Sequence, residues 1–131
     1  MVATKKKSSS KKPVVITLPV LGKSEIYKGL IVDESGKPLR HVMEIVGKFG
    51  NATWDKALDI AKKAGGALAD RREGALLRAS DPRGQSGLFW LSEQCEGYSD
   101  FAWAQYFNDG DQSTFRKSGK FRVRVVRTIP I

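Results

Sequence analysis

The C-terminal third of the chain alternates short apolar runs with turn residues, and this pattern constrains the fold more than any other feature. The runs are LFWLS, FAWAQYF, STF and FRVRVVR, and the segments between them include the turn signals NDGD and KSGK. In the last run, apolar positions from Phe121 to Val125 alternate with Arg122 and Arg124. A period of two is typical of a half-buried strand, so this third of the chain predicts antiparallel β structure.

Strands are also predicted near the start of the chain. The segment VVITLPV after Pro13 is rich in β-branched residues, and Pro19 either ends this strand or confines it to a sheet edge. Residues 26–34 and 39–46 flank the turn signal SGKP. These two segments together predict an N-terminal β-hairpin.

Two helices are predicted between these groups of strands. In WDKALDIAKKAGG, apolar residues recur at helical spacing, Thr53 is placed to cap the segment, and two glycines end it. A shorter helix is predicted to start at Asp70, because Asp70 and Glu73 have capping-box spacing. Residues 81–87 then form a predicted loop. The inventory of elements indicates an α+β domain.

Composition excludes several classes of protein. The chain has 131 residues, which suits one domain, and no apolar run approaches the roughly 18 residues of a membrane span. Its basic N-terminus is not followed by an apolar segment, which argues against a signal peptide. Cys95 is the single cysteine and His41 the single histidine, so we expect no internal disulfide and no zinc site made of these residue types.

The positive charge is concentrated in one segment. The formal net charge is +9, and residues 1–12 contribute five lysines without any acid: Lys5, Lys6, Lys7, Lys11 and Lys12. Lysine and serine bury too little apolar surface to order a chain, so we expect a flexible basic arm before a single domain at residues 13–131. Such an arm suits contact with nucleic acid or an acidic protein surface, and a solubilising role is the alternative.

From Trp54 to Arg127 the chain contains five motifs in the order WDKAL, GGALADRREGALL, FWLSEQ, YSDFAWAQYFNDG and KFRVRVVR. This ordered set resembles the C-terminal domain of the Lcl family, which is frequent in phage and prophage proteins. The matching positions are Leu68, Arg71, Glu73, Leu76, Leu77, Trp90, Ser92, Glu93, Ala102, Trp103, Phe107, Gly110, Arg122, Arg124, Val126 and Arg127. The chain departs from the family pattern at Ala69, Asp70 and Leu91.

The resemblance implies a C-type-lectin-like fold, with two helices packed on a twisted antiparallel sheet in which the chain ends meet. In such a fold Trp90, Trp103 and Phe107 are expected to be core or sheet-packing residues, because aromatic side chains bury large areas. Three arginines of the last run are expected to pair with carboxylates such as Glu73, Glu93 or Asp100, and surface anion binding is the alternative. These arginines are Arg122, Arg124 and Arg127.

In C-type-lectin-like folds the binding surface is built from loops and strands of the C-terminal half. The candidate contact residues there are Tyr98, Tyr106, Asn108, Asp109, Asp111 and Gln112. The NDGD run is also typical of a tight turn. Two carboxylates cluster in it, but the acidic loop is shorter than an EF-hand loop, so we expect no metal and no cofactor. His41 has no evident nucleophile partner, and we expect no enzymatic activity.

These features favour a non-enzymatic phage or prophage binding protein. The first expectation is a virion component, either a capsid decoration or a tail-associated protein, anchored to a neighbouring subunit by the basic arm. The alternative is an effector in the host cytoplasm that binds nucleic acid or blocks a nucleic-acid machine, through the arm and through Arg116, Lys117 and Lys120. A third interpretation is glycan binding at a bacterial surface. Self-association is compatible with each of these.

Overall fold

The computed structural model describes residues 15–81 and 87–131, and this part of the chain has a mixed α+β architecture. The elements follow the chain in the order β1 (Glu25–Val32), β2 (Pro38–Ile45), β3 (Asn51–Ala52), α1 (Trp54–Lys63), α2 (Arg71–Ser80), β4 (Leu88–Gln94), β5 (Phe101–Tyr106), β6 (Gln112–Arg116), β7 (Phe121–Arg122) and β8 (Val125–Pro130). The predicted basic arm at residues 1–12 and positions 82–86 of the predicted loop lie outside the described residues.

The N-terminal hairpin is confirmed. Strands β1 and β2 pair antiparallel, and the predicted turn SGKP lies between them. The Asp33 carboxylate closes this turn by accepting hydrogen bonds from the backbone N–H groups of Ser35 and Lys37, both at 2.9 Å. Asp is favoured in turns because its short side chain reaches the backbone in this way.

The strand predicted at VVITLPV is wrong for the described positions, because residues 15–20 form no strand. Val15, Leu18 and Val20 are instead 83%, 63% and 92% exposed. β-branched residues favour extended backbone, but a strand also requires a neighbour for its N–H and C=O groups. Pro19 lacks an N–H donor, which weakens any ladder there.

Both helices begin and end close to their predicted positions. At α2 the capping box is complete: Asp70 accepts from the backbone N–H of Glu73 at 2.7 Å, and Glu73 accepts from that of Asp70 at 2.9 Å. At α1, Thr53 occupies the N-cap position but makes no side-chain hydrogen bond to the helix. The expectation that its hydroxyl caps α1 is therefore wrong, although the boundary is correct. No helix of the described chain is both long and apolar enough to span a membrane.

The strands form two sheets instead of one. The first has the order β1-β2-β8 and the second has the order β3-β7-β4-β5-β6. All pairings are antiparallel except that of β4 with β7, where Phe89 lies opposite Arg122. The predicted last strand is broken accordingly: β7 belongs to the second sheet, β8 belongs to the first, and Val123 and Arg124 lie between them.

Strand β8 closes the first sheet by pairing with β2. Ile45 lies opposite Val125 at one end of this pairing, and Arg40 lies opposite Pro130 at the other. Val126 also exchanges two backbone hydrogen bonds of 2.8 Å with Ala67, in the link between the helices. The end of the chain is thus fixed to the hairpin and to the helical layer at once.

The core consists of two apolar clusters, one under each helix. In the first, Trp90 is fully buried beside Ala57 and Ala61 of α1, and its indole N–H donates to the carbonyl oxygen of Ala52 at 2.9 Å. In the second, Leu77 of α2 packs with the group Ile31, Val42, Ala69, Phe89, Leu91, Phe107 and Val126. Trp90 and Phe107 therefore lie in the core as expected, whereas Trp103 is only half-buried at the margin of the second cluster.

Candidate functional site

Five of the six candidate contact residues lie together, and the sixth does not. Tyr106 ends β5, Asn108, Asp109 and Asp111 lie in the turn after it, and Gln112 begins β6. Tyr98 precedes the N-terminal end of β5, whereas the other five residues lie at or beyond its C-terminal end. The length of the strand therefore separates Tyr98 from them. Tyr98 is the most exposed aromatic residue of the described chain at 67%, while Tyr106 is 38% exposed and packs edge-on against Phe115.

The turn between β5 and β6 is rigidly held. The Asp109 carboxylate accepts the backbone N–H of Asp111 at 2.9 Å, and the N–H of Tyr106 donates to the carbonyl of Asp111 at 2.8 Å. From α2, the Arg78 guanidinium donates to the carbonyl oxygens of Phe107 at 2.5 Å and Asn108 at 2.9 Å. The turn interpretation of NDGD is confirmed, and these bonds present its exposed side chains on a fixed backbone.

A buried amide network supports the same region. Gln105, which is fully buried in β5, donates to the carbonyl of Gly74 in α2 at 2.9 Å. Gln112 donates from Nε2 to the Gln105 side-chain oxygen and to the carbonyl of Arg71, both at 2.7 Å. Gln112 is thus largely occupied by the fold, and its role is to join β6 to α2.

Gln105 was missed by the sequence analysis, because it sits within the apolar run FAWAQYF. The signal that could have found it is a lone side-chain amide inside an otherwise apolar run, because a buried polar group requires a hydrogen-bond partner. The network also requires close packing of α2 on β5. A Cβ atom at Gly74 would lie only 2.7 Å from Leu91 Cδ2 and 2.9 Å from the Gln105 Oε1.

Beside the turn lies an open depression of about 980 Å³ at the start of α2. We call it the α2 depression; its lining residues are Asp70, Arg71, Arg72, Ala75, Glu93, Gly110, Asp111 and Gln112. The lining contains two arginines and three carboxylates, so the depression carries no excess of positive charge. This composition suits a polar ligand or a protein surface better than a polyanion.

Arg71 forms one wall of the α2 depression and explains the position of Trp103. Its guanidinium carbon lies 3.6 Å from the centroid of a Trp103 ring, and its Nε donates to the Gln112 side-chain oxygen at 3.0 Å. A stacked guanidinium shields the indole from water on one face. Trp103 is consequently a packing residue at the boundary between core and surface, with the Arg71 guanidinium stacked on its exposed side.

The arginines of the last run are paired, but with other partners than those expected. Arg124 binds Glu44 of β2 through two hydrogen bonds of 2.8 and 2.7 Å, and Arg127 binds Glu25 of β1 through two more, one of them 2.7 Å. The predicted partners Glu73, Glu93 and Asp100 are wrong for these two arginines.

Two of the predicted carboxylate partners, Glu73 and Glu93, bind other groups, and Arg122 forms no comparable ion pair in the described part of the chain. Glu73 instead pairs with Arg40 at 2.8 Å, and Glu93 accepts the backbone N–H of Arg71 at 2.8 Å. Arg122 is exposed and forms no ion pair within the described residues. Arg122 is therefore the one of the three arginines whose charge remains available at the surface.

The pair between Arg127 and Glu25 has a clear electrostatic signature. Hydrogen bonding from Arg127, with a smaller contribution from the backbone N–H of Gly22, lowers the pKa of Glu25 from 4.5 to about 2. The same hydrogen bonding raises the pKa of Arg127 above its usual value. Both groups are therefore charged throughout the neutral and mildly acidic range.

The single histidine and the single cysteine lie apart from any paired nucleophile and base among the described residues. His41 is buried on β2, where its Nδ1 lies 2.8 Å from the Tyr27 hydroxyl and the two rings are 5.5 Å apart. Burial raises the pKa of Tyr27. Cys95 is a half-buried free thiol whose Sγ lies 3.8 Å from the carbonyl oxygen of Glu96.

The described residues also contain no group of three or more His, Cys, Asp or Glu side chains placed to hold a metal ion. Of the cations considered for nucleic acid, Lys117 is engaged by the fold: its Nζ lies 4.5 Å from the Trp54 ring centroid and 2.5 Å from the Gln94 side-chain oxygen. Arg116 stacks over Phe101 at 5.1 Å, and Lys120 is exposed.

Comparison with models of known protein families gives no match to this chain, and comparison with curated protein sequences gives none either.

Proposed function

We propose that this protein is a non-enzymatic binding protein with a C-type-lectin-like domain of the Lcl C-terminal type, and that it is a phage or prophage virion component. The support for the domain type is the ordered set of motifs from Trp54 to Arg127 and the α+β architecture with two helices. A last strand that returns to the N-terminal hairpin agrees with the meeting of chain ends that the resemblance implies.

The observation that carries the anchoring role is the exposed apolar segment 15–21. Val15, Leu18, Val20 and Leu21 are 83%, 63%, 92% and 42% exposed, although the segment is dominated by apolar residues. Four exposed apolar side chains within seven residues are unfavourable in water, and such a concentration is characteristic of a surface that a partner covers. The segment follows the five lysines of residues 1–12, so the two together suit an arm that is ordered by contact with another virion subunit.

The ligand-facing surface in this proposal comprises the turn after β5 and the α2 depression. Asn108, Asp109 and Asp111 are exposed there on a backbone that Arg78 holds in place. Rigid backbone with exposed polar side chains suits specific hydrogen bonding at low entropic cost. Tyr98, at the opposite end of β5, belongs to a separate contact area.

The first experiment is mass spectrometry of purified virions from a lysogen that carries the gene, with a parallel sample treated with nuclease. We expect stoichiometric recovery of the protein in both samples. The double variant Leu18→Ser/Val20→Ser should be lost from the particle, because it removes two exposed apolar contacts without disturbing the core. The matched control is Val46→Ser/Ile131→Ser, which changes two exposed apolar residues elsewhere, at 52% and 55% exposure.

Absence of the wild-type protein from the particle would overturn the virion assignment. It would promote the alternative, an intracellular effector that contacts nucleic acid or a nucleic-acid machine through the five lysines. Pull-down with and without residues 1–12 then identifies the partner. Binding to nucleic acid should weaken by orders of magnitude between low and moderate salt, whereas an apolar anchor should not. Glycan binding is tested independently on arrays of bacterial surface polysaccharides, where a clean negative removes it.

A further inference from the structure

A cavity lies where the last part of the chain passes from the second sheet to the first. Its volume is about 530 Å³, within the usual range for small-ligand sites. Strands β1 and β2, residues 46–51 and residues 122–124 form its walls, together with Asp81 after α2. The break between β7 and β8 is therefore also the place where Arg122 and Arg124 both line one partly open cavity. We call it the inter-sheet cavity.

The walls of the inter-sheet cavity contain a buried excess of positive charge. Three charged side chains are largely removed from water there: Lys28, Glu44 and Arg124, with exposed fractions of 10%, 13% and 15%. Glu44 serves both cations, at 2.7 Å from Arg124 and 3.6 Å from the Lys28 ammonium. One carboxylate against two cations leaves this buried group with a net charge of +1.

The hydrogen-bonding capacity of these cations is also incompletely used. Lys28 reaches Glu44 only at 3.6 Å, which is longer than a hydrogen bond. Arg124 has one buried guanidinium nitrogen, Nη1, without a hydrogen-bond partner in the described part of the chain. The rings of Phe107 and Phe89, at 4.3 and 5.3 Å from its guanidinium carbon, compensate in part. Nη1 is too deeply buried to contact a ligand in the cavity, so the cation that lacks a close anion there is Lys28, whose ammonium has Glu44 only at 3.6 Å. Burying a cation without a full counter-charge is costly, and an anion beside Lys28 would reduce this cost.

The rim of the inter-sheet cavity adds to this excess, and its walls supply apolar contact. Arg122 and Lys48 contribute two more positive charges, against the single carboxylate of Asp81. The apolar part of the lining includes Phe49 and Val123. A ligand that fits both features carries a negative group for the cations and an apolar group for these side chains.

We propose that the inter-sheet cavity binds a small organic oxyanion of the phosphate-ester class, with the anionic group between Lys28 and Arg122 and the apolar group against Phe49. Arginine and lysine side chains are the usual protein partners of phosphate oxygens. This site is distinct from the α2 depression and from segment 15–21, and it does not depend on a virion role.

The test is a titration of the full chain at constant ionic strength with phenyl phosphate and, separately, with inorganic phosphate. Saturable binding should raise the thermal midpoint and give a heat in calorimetry. Phenyl phosphate should bind at least tenfold more tightly than inorganic phosphate if the apolar lining contributes. Equal affinity for the two would overturn the ester assignment and leave a site for a free oxyanion. No saturable binding of either would overturn the site itself.

Arg122→Gln should weaken phenyl phosphate binding about tenfold, because it removes one charge-assisted contact from an exposed position. Arg116→Gln is the matched control: it makes the same change of charge outside the cavity and should leave the affinity unchanged. An equal loss in both variants would show general charge attraction and contradict the site. Lys28→Met is the second variant, and it should abolish binding while the protein still unfolds cooperatively.

Discussion

At the residue scale, bidentate ion pairs fix the last strand to the first hairpin. Arg124 and Arg127 bind carboxylates that lie 80 and 102 positions earlier in the chain. The alternation of arginine with valine left open whether these side chains pair with carboxylates or bind anions at the surface, and the structure pairs Arg124 and Arg127 but not Arg122. The alternation could not select Glu44 and Glu25, because that choice depends on which strands become neighbours after folding.

The pair between Arg127 and Glu25 predicts a defined dependence of stability on pH. The pKa of Glu25 is about 2 in the folded protein, below the usual 4.5, so the charged carboxylate stabilises the fold. This contribution should be complete above about pH 4.5 and should disappear as the pH falls toward 2. We therefore expect Glu25→Gln to lower the free energy of unfolding at pH 6, with the difference from wild type vanishing near pH 2.

Chemical denaturation at several pH values measures this difference. Glu96→Gln is the control, because Glu96 is exposed and forms no ion pair within the described residues. Its curve should follow that of wild type at each pH. A Glu25→Gln protein that is equally destabilised at pH 6 and pH 2 would contradict the role of the carboxylate charge.

At the element scale, the two helices differ in how they begin. The α2 helix has a complete capping box, and Arg40 of β2 binds both of its carboxylates, Asp70 and Glu73, at 2.8 Å. The α1 helix begins at Thr53 without a side-chain cap. The start of α1 must therefore be stabilised by packing instead of by a cap. Trp54 anchors it, because its indole N–H donates to the carbonyl of Leu91 at 2.8 Å.

This difference predicts unequal effects of removing the two N-cap side chains. Asp70→Ala should lower the free energy of unfolding by about 1–2 kcal/mol, because it removes a hydrogen bond to the helix and a partner of Arg40. Thr53→Ala should cost less than about 0.5 kcal/mol, since no cap bond is lost. Thermal or urea unfolding of the two variants provides the comparison. Equal destabilisation would show that the capping box contributes little beyond packing.

The elements that were predicted correctly are those with local signals. The hairpin, both helices and the strands β4 to β6 each have their turn, cap or period within a few adjacent residues. The two errors concern pairing. VVITLPV has the composition of a strand but no neighbour in the described fold, and FRVRVVR changes partners at Val123, where its alternation continues without interruption. Local sequence patterns predict neither the missing neighbour of VVITLPV nor the change of sheet at Val123.

At the scale of the whole molecule, β8 connects the hairpin, the second sheet and the link between the helices. Gly66 lies where this link meets β8. A Cβ atom there would overlap the Val126 carbonyl oxygen, well inside normal contact distance, and lie only 2.9 Å from the Val125 side chain. Gly66 is therefore required by the close approach of two backbones, in addition to ending α1.

Gly66→Ala should accordingly destabilise the protein by about 2–3 kcal/mol, at the upper end of overpacking effects, because a backbone atom must move. Gly36→Ala is the control, since Gly36 lies at φ +86° in the hairpin turn with no atom near its missing Cβ. We expect a cost of about 1 kcal/mol there, from backbone strain alone. Denaturant midpoints measure both, and a smaller loss for Gly66→Ala than for Gly36→Ala would contradict the close approach.

The candidate site was predictable only where its residues are close together in the sequence. Turn residues near one another in sequence, from Tyr106 to Gln112, necessarily lie near one another in space. Tyr98 was grouped with them on composition, but β5 separates the two ends. The cations of the inter-sheet cavity come from strands distant in sequence, so only the assembled sheets bring Lys28 and Arg122 to one space.

The order β1-β2-β8 also has a mechanical consequence. Glu25 and Val125 lie across from Ile45 at one end of this sheet, while Pro130 lies across from Arg40 at the other, roughly 17 Å away along the strands. A force that pulls Glu25 and Pro130 apart acts parallel to the strands. It loads the hydrogen bonds of β1 to β2 and of β2 to β8 in shear, so that they must break together and not one after another.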